Sequence, residues 1–181
     1  AALAPTFYVT GNHEWVLSRE KRAALFSMLD AAGVVRLQNE YKLLERGQFS
    51  IVLAGADDPN GPFDQKRPAQ LVREIRQARG KDAYILMLSH RNDELDLWAN
   101  MGVQTVLCGH GHGGIVRLPF VGAVFGTHLD LFPDYTAGLY QKGQTSMIVS
   151  RGLGGSRKLP LRIGNRPEIV TVILKTDSGE I

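Results

Sequence analysis

Short β-rich runs alternate with helical patterns along this chain, and this alternation most constrains what it can fold into. The apolar run at residues 84–88 has the length of a strand, whereas apolar residues between Pro68 and Arg79 recur at helical spacing. Strands that alternate with helices predict an α/β fold built in layers. The apolar runs are all far shorter than the roughly 20 residues that a membrane-spanning helix needs.

The same patterns divide the chain into elements. Strands are predicted at residues 6–9, 41–44, 49–54, 84–88 and 103–107, and hairpin-like pieces at 138–140, 146–150 and 169–174. Helices are predicted at Pro68–Arg79, with Leu71, Val72 and Ile75 inward, and at residues 94–99. Residues 55–62 are rich in Asp, Pro, Asn and Gly and predict a turn region. A further helix is expected between the cap Ser18 and the stop Gly33, with an inward face made of Ala23, Leu25, Phe26, Met28 and Leu29.

Length and composition indicate one ordinary globular domain over residues 1–181, since 44% of the residues are hydrophobic and 22% are charged. The single cysteine, Cys108, excludes an intrachain disulfide and suits a reducing compartment. The chain starts without methionine, has no positively charged signal region and runs directly into a strand. We therefore expect it to begin inside a domain of a longer protein, which is either cytoplasmic or membrane-associated.

Positive charge is concentrated near the end of the chain. The stretch from Arg151 to Arg166 also contains Arg157, Lys158 and Arg162, and no acidic residue follows until Glu168. Such a stretch can attract an anion such as phosphate, or it can be a solvated surface loop. Nucleic-acid binding is not favoured, because no aromatic-rich basic stripe or base-reading helix accompanies these charges.

Three of the predicted strands end in residue types that bind metals. Residues 6–9 lead to Asn12, residues 84–88 lead to His90, and residues 103–107 lead to His110 and His112. Functional groups in open α/β sheets gather just beyond the carboxyl ends of the strands. Imidazole nitrogens and an amide oxygen suit divalent transition metals. Each residue alone could be an ordinary turn or core residue, but together and in this order they predict a metal site.

These residues resemble a known family. Gly11-Asn12-His13-Glu14, His90 and Gly109-His110-Gly111-His112 are similar to the last three of five motifs of calcineurin-like metallophosphoesterases. The resemblance implies a four-layer αββα sandwich with two divalent metal ions (Mn, Fe or Zn) between its sheets. It implies that Asn12, His90 and His110 bind one ion and His112 the other. It also implies that His13, oriented by Glu14, contacts the phosphate and stabilises the transition state or protonates the leaving group.

The tail resembles a membrane-associated bacterial branch of that family, which includes enzymes that hydrolyse the pyrophosphate of UDP-2,3-diacylglucosamine. The likeness lies in residues 113–119, 138–140, 150–154 and 165–169. It implies a small phosphoester or nucleotide-sugar lipid substrate, and peripheral membrane association of the longer protein. Arg151 and Arg157 would then bind a second phosphate group, and Phe120 with residues 131–133 could form an apolar rim for an acyl chain.

The chain departs from the family pattern at its start, because the first two motifs, Asp-x-His and Gly-Asp-x-x-Asp, are absent upstream of Asn12. We therefore expect an N-terminally incomplete sandwich, the C-terminal portion of a single metallophosphoesterase domain. The leading hypothesis is two-metal hydrolysis of a phosphoester or pyrophosphate, with the missing ligands in the longer protein or another chain. The alternative is a non-catalytic fragment that binds a metal or a partner. Two smaller departures are Gly111, where this branch usually carries Thr, and Asn92, where Pro is common.

Four further residues with reactive or metal-binding side chains are interpreted as having no functional role. Cys108 could be a ligand, but a small apolar strand residue is the better interpretation. Asp57 and Asp58 could be a paired carboxylate, but the neighbouring turn residues favour an ordinary capped turn. His128 lies in a loop without a partner pattern and is expected to be exposed.

Overall fold

A six-stranded mixed sheet forms the centre of the fold in the computed structural model, which describes residues 3–127, 129–155, 161–176 and 179–180. The described strands are β1 Thr6–Tyr8, β2 Val34–Arg36, β3 Glu40–Arg46, β4 Phe49–Gly55, β5 Ile85–Leu88, β6 Thr105–Cys108, β7 Val116–Leu118, β8 Gly122–Phe125, β9 Gly138–Lys142, β10 Thr145–Val149, β11 Lys175–Thr176 and β12 Gly179–Glu180. The strand order of the central sheet is β3-β4-β5-β6-β10-β9. Strands β4, β5, β6 and β10 are mutually parallel, and β3 and β9 run antiparallel at the two edges. The helices are α1 Asn12–Trp15, α2 Arg19–Ala31, α3 Pro68–Arg79 and α4 Leu95–Asn100.

Alternate residues of the central strands point to opposite faces of this sheet, as the two-residue period of a strand requires. One face packs against α3 and α4, whose residues Leu71, Ile75 and Trp98 are fully buried. The other face carries Leu53 and Leu86, which form a second core cluster with Leu37 and the apolar side chains of β1 and β2. The central sheet is therefore buried on both sides.

The parallel pair β1–β2 forms a second, smaller sheet, and α2 packs on its outer side. Arg36 of β2 connects the two elements, because its guanidinium pairs with Asp30 at 2.8 Å and lies over the Phe26 ring at 4.6 Å. The layers follow one another as helix, sheet, sheet and helix, in agreement with the αββα order that the resemblance implies. The inward face of α2 is less buried than predicted, since Ala23 and Met28 are exposed and no residue of α2 is fully buried.

Most of the predicted elements are confirmed, including the cap of α2, where the Ser18 hydroxyl accepts the Lys21 amide hydrogen. The prediction of a strand at residues 169–174 is wrong, because no strand occurs there and β11 begins at Lys175. Val172 and Ile173 are exposed, and Leu174 packs against the central sheet. The short elements β2, β7, β8 and α1 were not predicted. Within the described residues, no helix has both the length and the apolar composition to cross a membrane.

Candidate metal centre

Three of the predicted ligands meet at the carboxyl ends of the strands. Asn12 begins α1 after β1, His90 follows β5, and His110 follows β6. His90 Nε2 lies 2.9 Å from Asn12 Oδ1 and 2.9 Å from His110 Nδ1. The two imidazole rings meet edge to face, with centroids 4.6 Å apart. Residues that are 78 and 20 positions apart in sequence thus bring one amide oxygen and two imidazole nitrogens to a single point.

The backbone around these ligands explains why glycine and left-handed conformations occur here. A Cβ on Gly11 would lie 2.8 Å from the His90 ring, so only glycine lets this loop approach the imidazole. His110 and His112 have positive φ angles of 64° and 51°, which are uncommon for non-glycine residues and concentrate at functional sites. Gly113 continues the turn at φ 75°. The alternation of His and Gly therefore follows from the tight path of the chain after β6.

The chemical nature of the donor atoms suits a divalent metal. Burial lowers the pKa of His90, which favours the neutral imidazole that a metal requires. The amide oxygen of Asn12 completes a three-atom set of neutral nitrogen and oxygen donors. Among the residues that the structure describes, no group of three or more His, Cys, Asp or Glu side chains could hold a metal ion, so the Asn12 amide is essential to this set.

His112 lies in the same loop but has a different environment. Its ring hydrogen-bonds to the backbone of Gly154, and burial, with the nearby charge of Arg162, lowers its pKa. His13 is exposed at the start of α1. The Glu14 carboxylate accepts the Gly11 amide hydrogen at 2.6 Å and also bonds to the Tyr8 hydroxyl, whose pKa is raised by burial and by Glu14. Glu14 thus fixes the start of α1, and a direct pairing with His13 stays a prediction.

Two buried carboxylates lie next to the ligands. The turn after β4 is capped as predicted, because Asp58 Oδ1 accepts the Asn60 amide hydrogen. Asp58 is also only 1% exposed and binds the Arg91 guanidinium through two hydrogen bonds of 2.7 and 3.1 Å. Burial alone would raise the pKa of Asp58, but the bonds from Arg91 and Asn60 lower it. This buried ion pair holds the turn after β4 against the residue that follows His90.

The second carboxylate supports the loop that carries Asn12. Asp57 Oδ1 accepts hydrogen bonds from the Thr10 hydroxyl at 2.6 Å and the Thr10 amide at 3.2 Å. Trp15 donates its indole N–H to the same hydroxyl at 3.0 Å. Burial raises the pKa of Asp57. Because Asp57 Oδ1 and both carboxylate oxygens of Asp58 are used in these contacts, the two side chains act as supports of the cluster.

Asn165 supports the His110–His112 loop from the opposite side. It is 2% exposed, and its amide nitrogen donates to His112 O at 2.8 Å and to Gly114 O at 2.6 Å. Nearby, the Arg151 guanidinium pairs with Glu168, whose carboxylate also accepts the Arg151 amide hydrogen. Arg151, predicted to bind substrate, is thus paired within the chain.

The remaining predictions have mixed outcomes. Cys108 is a buried strand residue, as interpreted, and burial raises its pKa to about 12. His128 and Arg157 lie outside the described residues.

A cavity of about 450 Å³ opens beside His110 and is lined by Asn92, Gly111, Asp134 and Tyr135, among others. This cavity gives the ligand cluster an adjacent space that a small molecule could enter.

The sequence interpretation missed the supporting residues. Asp57 and Asp58 follow β4, which ends at the same edge as β5 and β6. The rule that pointed to Asn12, His90 and His110 therefore applies to them as well. Asn165 belongs to one of the tail segments that carried the family resemblance, but nothing in the local sequence indicates its contact with the loop.

Several curated proteins similar to this chain are named phosphodiesterases or metallophosphoesterases. "Phosphodiesterase YaeI" of Escherichia coli is 30% identical over 96% of this chain and 60% of its own length. "Uncharacterized metallophosphoesterase YkuE" of Bacillus subtilis is 31% identical over 93% of this chain and 55% of its own length. "Transmembrane protein with metallophosphoesterase domain" of Bos taurus is 27% identical over 94% of this chain and 38% of its own length. The chain thus spans three-fifths or less of the length of these relatives. No family model and no solved structure matches it.

Proposed function

Because this chain belongs to the metallophosphoesterase family, we propose that the protein hydrolyses a phosphoester bond with the help of divalent metal ions bound at the carboxyl edge of the central sheet. The observation that carries the proposal is the convergence of Asn12 Oδ1, His90 Nε2 and His110 Nδ1 within 2.9 Å contacts. These atoms would hold one ion, and His112 would contribute to a second. Mn, Fe and Zn are the candidate ions. When bound, such ions polarise phosphoryl oxygens and lower the pKa of bound water.

The residues beside the cluster would handle the phosphate. His13 is exposed at the start of α1, within electrostatic reach of His112, so it can contact a phosphate or protonate a leaving group. Glu14 keeps His13 in place indirectly, through its bond to the Gly11 amide. Arg151 and Arg157 are proposed to bind a second phosphate group. For Arg151 this requires the pair with Glu168 to open or to be shared with the substrate.

The substrate class we propose is a phosphodiester or pyrophosphate, including a nucleotide-sugar lipid, acted on at a membrane surface by the longer protein. The name of the Escherichia coli relative supports a diester, and that of the Bos taurus relative supports work near a membrane. The alternative is a module that binds one metal or a partner without catalysis. It is favoured by the donor count among the described residues, where three donors would serve the first ion and His112 is the one proposed donor to the second.

Metal content and turnover of paired variants test the proposal. After Mn²⁺ loading and desalting, His110→Ala should lose bound metal, because it removes one of the three converging donors. His13→Ala should retain the metal and lower kcat on bis(p-nitrophenyl) phosphate by about 10²–10⁴-fold, the range for a proton-transfer group.

Two results would count against the assignment. Equal metal loss in both variants would mean that His13 is a metal ligand. The phosphate contact or proton transfer proposed for it would then be wrong. Metal binding without turnover in the full-length wild-type protein would support the binding module.

A further inference from the structure

The cavity of about 450 Å³ beside His110 adjoins the ligand cluster directly. His110 lines this cavity, and its Nδ1 also lies 2.9 Å from His90 Nε2. The other walls come from the loops after β5 and β6 and from the segment between β8 and β9. A phosphodiester whose phosphate lies at the cluster therefore has this cavity next to one of its two ester groups.

The cavity walls carry negative charge that the chain does not neutralise. Three carboxylates line the cavity, those of Asp93, Asp130 and Asp134. Within the part of the chain that the structure describes, none of the three forms an ion pair. Arg91, the cationic residue of the described walls, is already bound by Asp58 through hydrogen bonds of 2.7 and 3.1 Å. The cavity therefore disfavours an anionic group and attracts a cation.

Asn92 adds an uncharged acceptor with a defined orientation. Its Nδ2 donates to Tyr135 O at 2.8 Å, and because a carbonyl oxygen can only accept, this contact determines which end of the carboxamide is the nitrogen. Asn92 Oδ1 is therefore an acceptor that a ligand in the cavity can use. Glycine at position 111 leaves room for this carboxamide, since a Cβ there would lie 2.9 Å from Asn92 Nδ2.

The segment that carries two of the carboxylates is held by the rest of the fold. The Gly126 amide donates to Asp130 O at 2.8 Å, and the Asp130 carboxylate occupies the space that a Cβ on Gly126 would take. Thr136, two residues after Asp134, is buried; its amide donates to the Tyr140 hydroxyl at 3.0 Å, and its own hydroxyl accepts from Arg117 at 3.1 Å. Acceptors that already have fixed positions bind a ligand with little cost of ordering.

We propose that this cavity is a subsite for an ester group that carries a primary ammonium, so that the preferred substrate is a phosphodiester of an amino alcohol. The ammonium would donate to the three carboxylates and to Asn92 Oδ1, because it supplies the positive charge and the donors that these groups lack. This inference rests on the proposed function and narrows its substrate class. A second phosphate does not belong in this cavity, and its place would be on the side of Arg151.

Three methyl phosphodiesters that differ in one terminal group test the subsite: the 2-aminoethyl, 2-hydroxyethyl and n-propyl esters. Calorimetric titration of the Mn²⁺-loaded full-length protein should give the lowest Kd for the 2-aminoethyl ester, about tenfold below that of the n-propyl ester. The 2-hydroxyethyl ester, which donates a hydrogen bond without a charge, should lie between them. One opposite charge at about 4 Å changes binding by about fivefold even in water, and the hydrogen bonds add to this effect.

Replacing the carboxylates tests where the preference arises. The triple variant Asp93→Asn, Asp130→Asn, Asp134→Asn should reduce the Kd ratio of the n-propyl to the 2-aminoethyl ester to about one. Asp134→Asn alone should reduce this ratio by about two- to fivefold, and it decides the question if the triple variant does not fold. Asp82→Asn is the matched control, because Asp82 is exposed shortly before β5, whereas the cavity lies beyond the carboxyl end of that strand. Its ratio should equal that of the wild type.

The outcomes separate the subsite from the chemistry. Equal Kd values for the 2-aminoethyl and n-propyl esters in the wild type would overturn the subsite, even if bis(p-nitrophenyl) phosphate is hydrolysed. So would a ratio that the carboxylate variants leave unchanged, or one that Asp82→Asn lowers as much as Asp134→Asn does, since overall charge would then explain it. A wild type that shows the preference without hydrolysing any of the diesters would refute the proposed hydrolysis and support the subsite as part of a binding module.

Discussion

Replacing Asn165 with alanine tests whether the residues after β10 hold the candidate ligands in place. The amide nitrogen of Asn165 is the donor to both His112 O and Gly114 O, which flank Gly113 at φ 75°. Asn165→Ala removes both bonds at once and puts no donor in their place. The loop has to leave the two carbonyls unpaired, admit water, or change its path.

The expected loss of stability follows from the burial of this contact. A buried polar group that loses its partner costs about 1–3 kcal/mol. Two carbonyls lose their donor here, and water entering the space left by the amide recovers part of the cost. We therefore expect Asn165→Ala to lower the free energy of unfolding by about 2–4 kcal/mol, which corresponds to roughly 5–12 °C in Tm for a chain of this size.

A structural role alone would change only stability, so metal affinity has to be measured as well. If Asn165 positions His112 and His112 binds the proposed second ion, removing Asn165 should weaken that Mn²⁺ binding step in the full-length protein by about 10–100-fold, as for other residues that orient metal ligands. Calorimetric titration measures this step, and chemical denaturation measures stability.

Gln141→Ala is the matched control. Its amide donates to Ser146 Oγ in an exposed contact on β9, so its removal should change stability by less than about 0.5 kcal/mol. If Asn165→Ala unfolds at the same denaturant concentration as Gln141→Ala and binds metal normally, the two bonds to the loop do not hold His112, and the reasoning fails.

Three further predictions concern the loops around the cluster. Gly111→Thr should cost about 1–3 kcal/mol, because its Cβ would lie 2.9 Å from Asn92 Nδ2, and adding Asn92→Ala should recover at least half of this in a double-mutant cycle. Asp58→Asn should cost about 2–4 kcal/mol in denaturant unfolding, since it leaves the Arg91 guanidinium without its buried partner. Burial, with repulsion from Asp93, raises the pKa of Glu94 from 4.5 to about 7, so the folded state binds the extra proton and stability should fall as pH rises from about 4.5 to 7. Glu94→Gln should flatten that slope and gain about 1–2 kcal/mol at pH 8, a value reduced for the partial exposure of Glu94.

The elements that the sequence predicted correctly are those whose signal is local. The strand β5 is a continuous apolar run, and α3 has Leu71, Val72 and Ile75 on one face, all of them buried. The missed strands β2 and β7 have three residues each, and they exist because a neighbouring strand supplies the pairing. Residues 169–174 are rich in β-forming residues but form no strand, because no strand among the described residues pairs with them.

The residues of the candidate site also divide into those with a local sequence signal and those that depend on distant contacts. His90 and His110 could be predicted to meet because each follows a strand, and the carboxyl ends of neighbouring parallel strands share an edge. Asn12 follows β1 of the smaller sheet, so its contact with His90 also depends on how the two sheets pack. Asn165 could not be predicted from its own surroundings, because its contact with His112 spans 53 residues and depends on the path of the chain after β10. Asp57 and Asp58 are intermediate: their position after β4 was visible, but turn residues at that point also suit an exposed loop.

The ligand cluster has a consequence for metal loading. Asn12, His90 and His110 bring one amide oxygen and two imidazole nitrogens together through contacts of 2.9 Å. A nitrogen that binds an ion must present a lone pair to it, so metal affinity depends on the protonation and on the exact position of these side chains. Their positions are set by the backbone, which Asp58 with Arg91 holds on one side and Asn165 on the other. Metal affinity should therefore depend on these supports nearly as much as on the ligands.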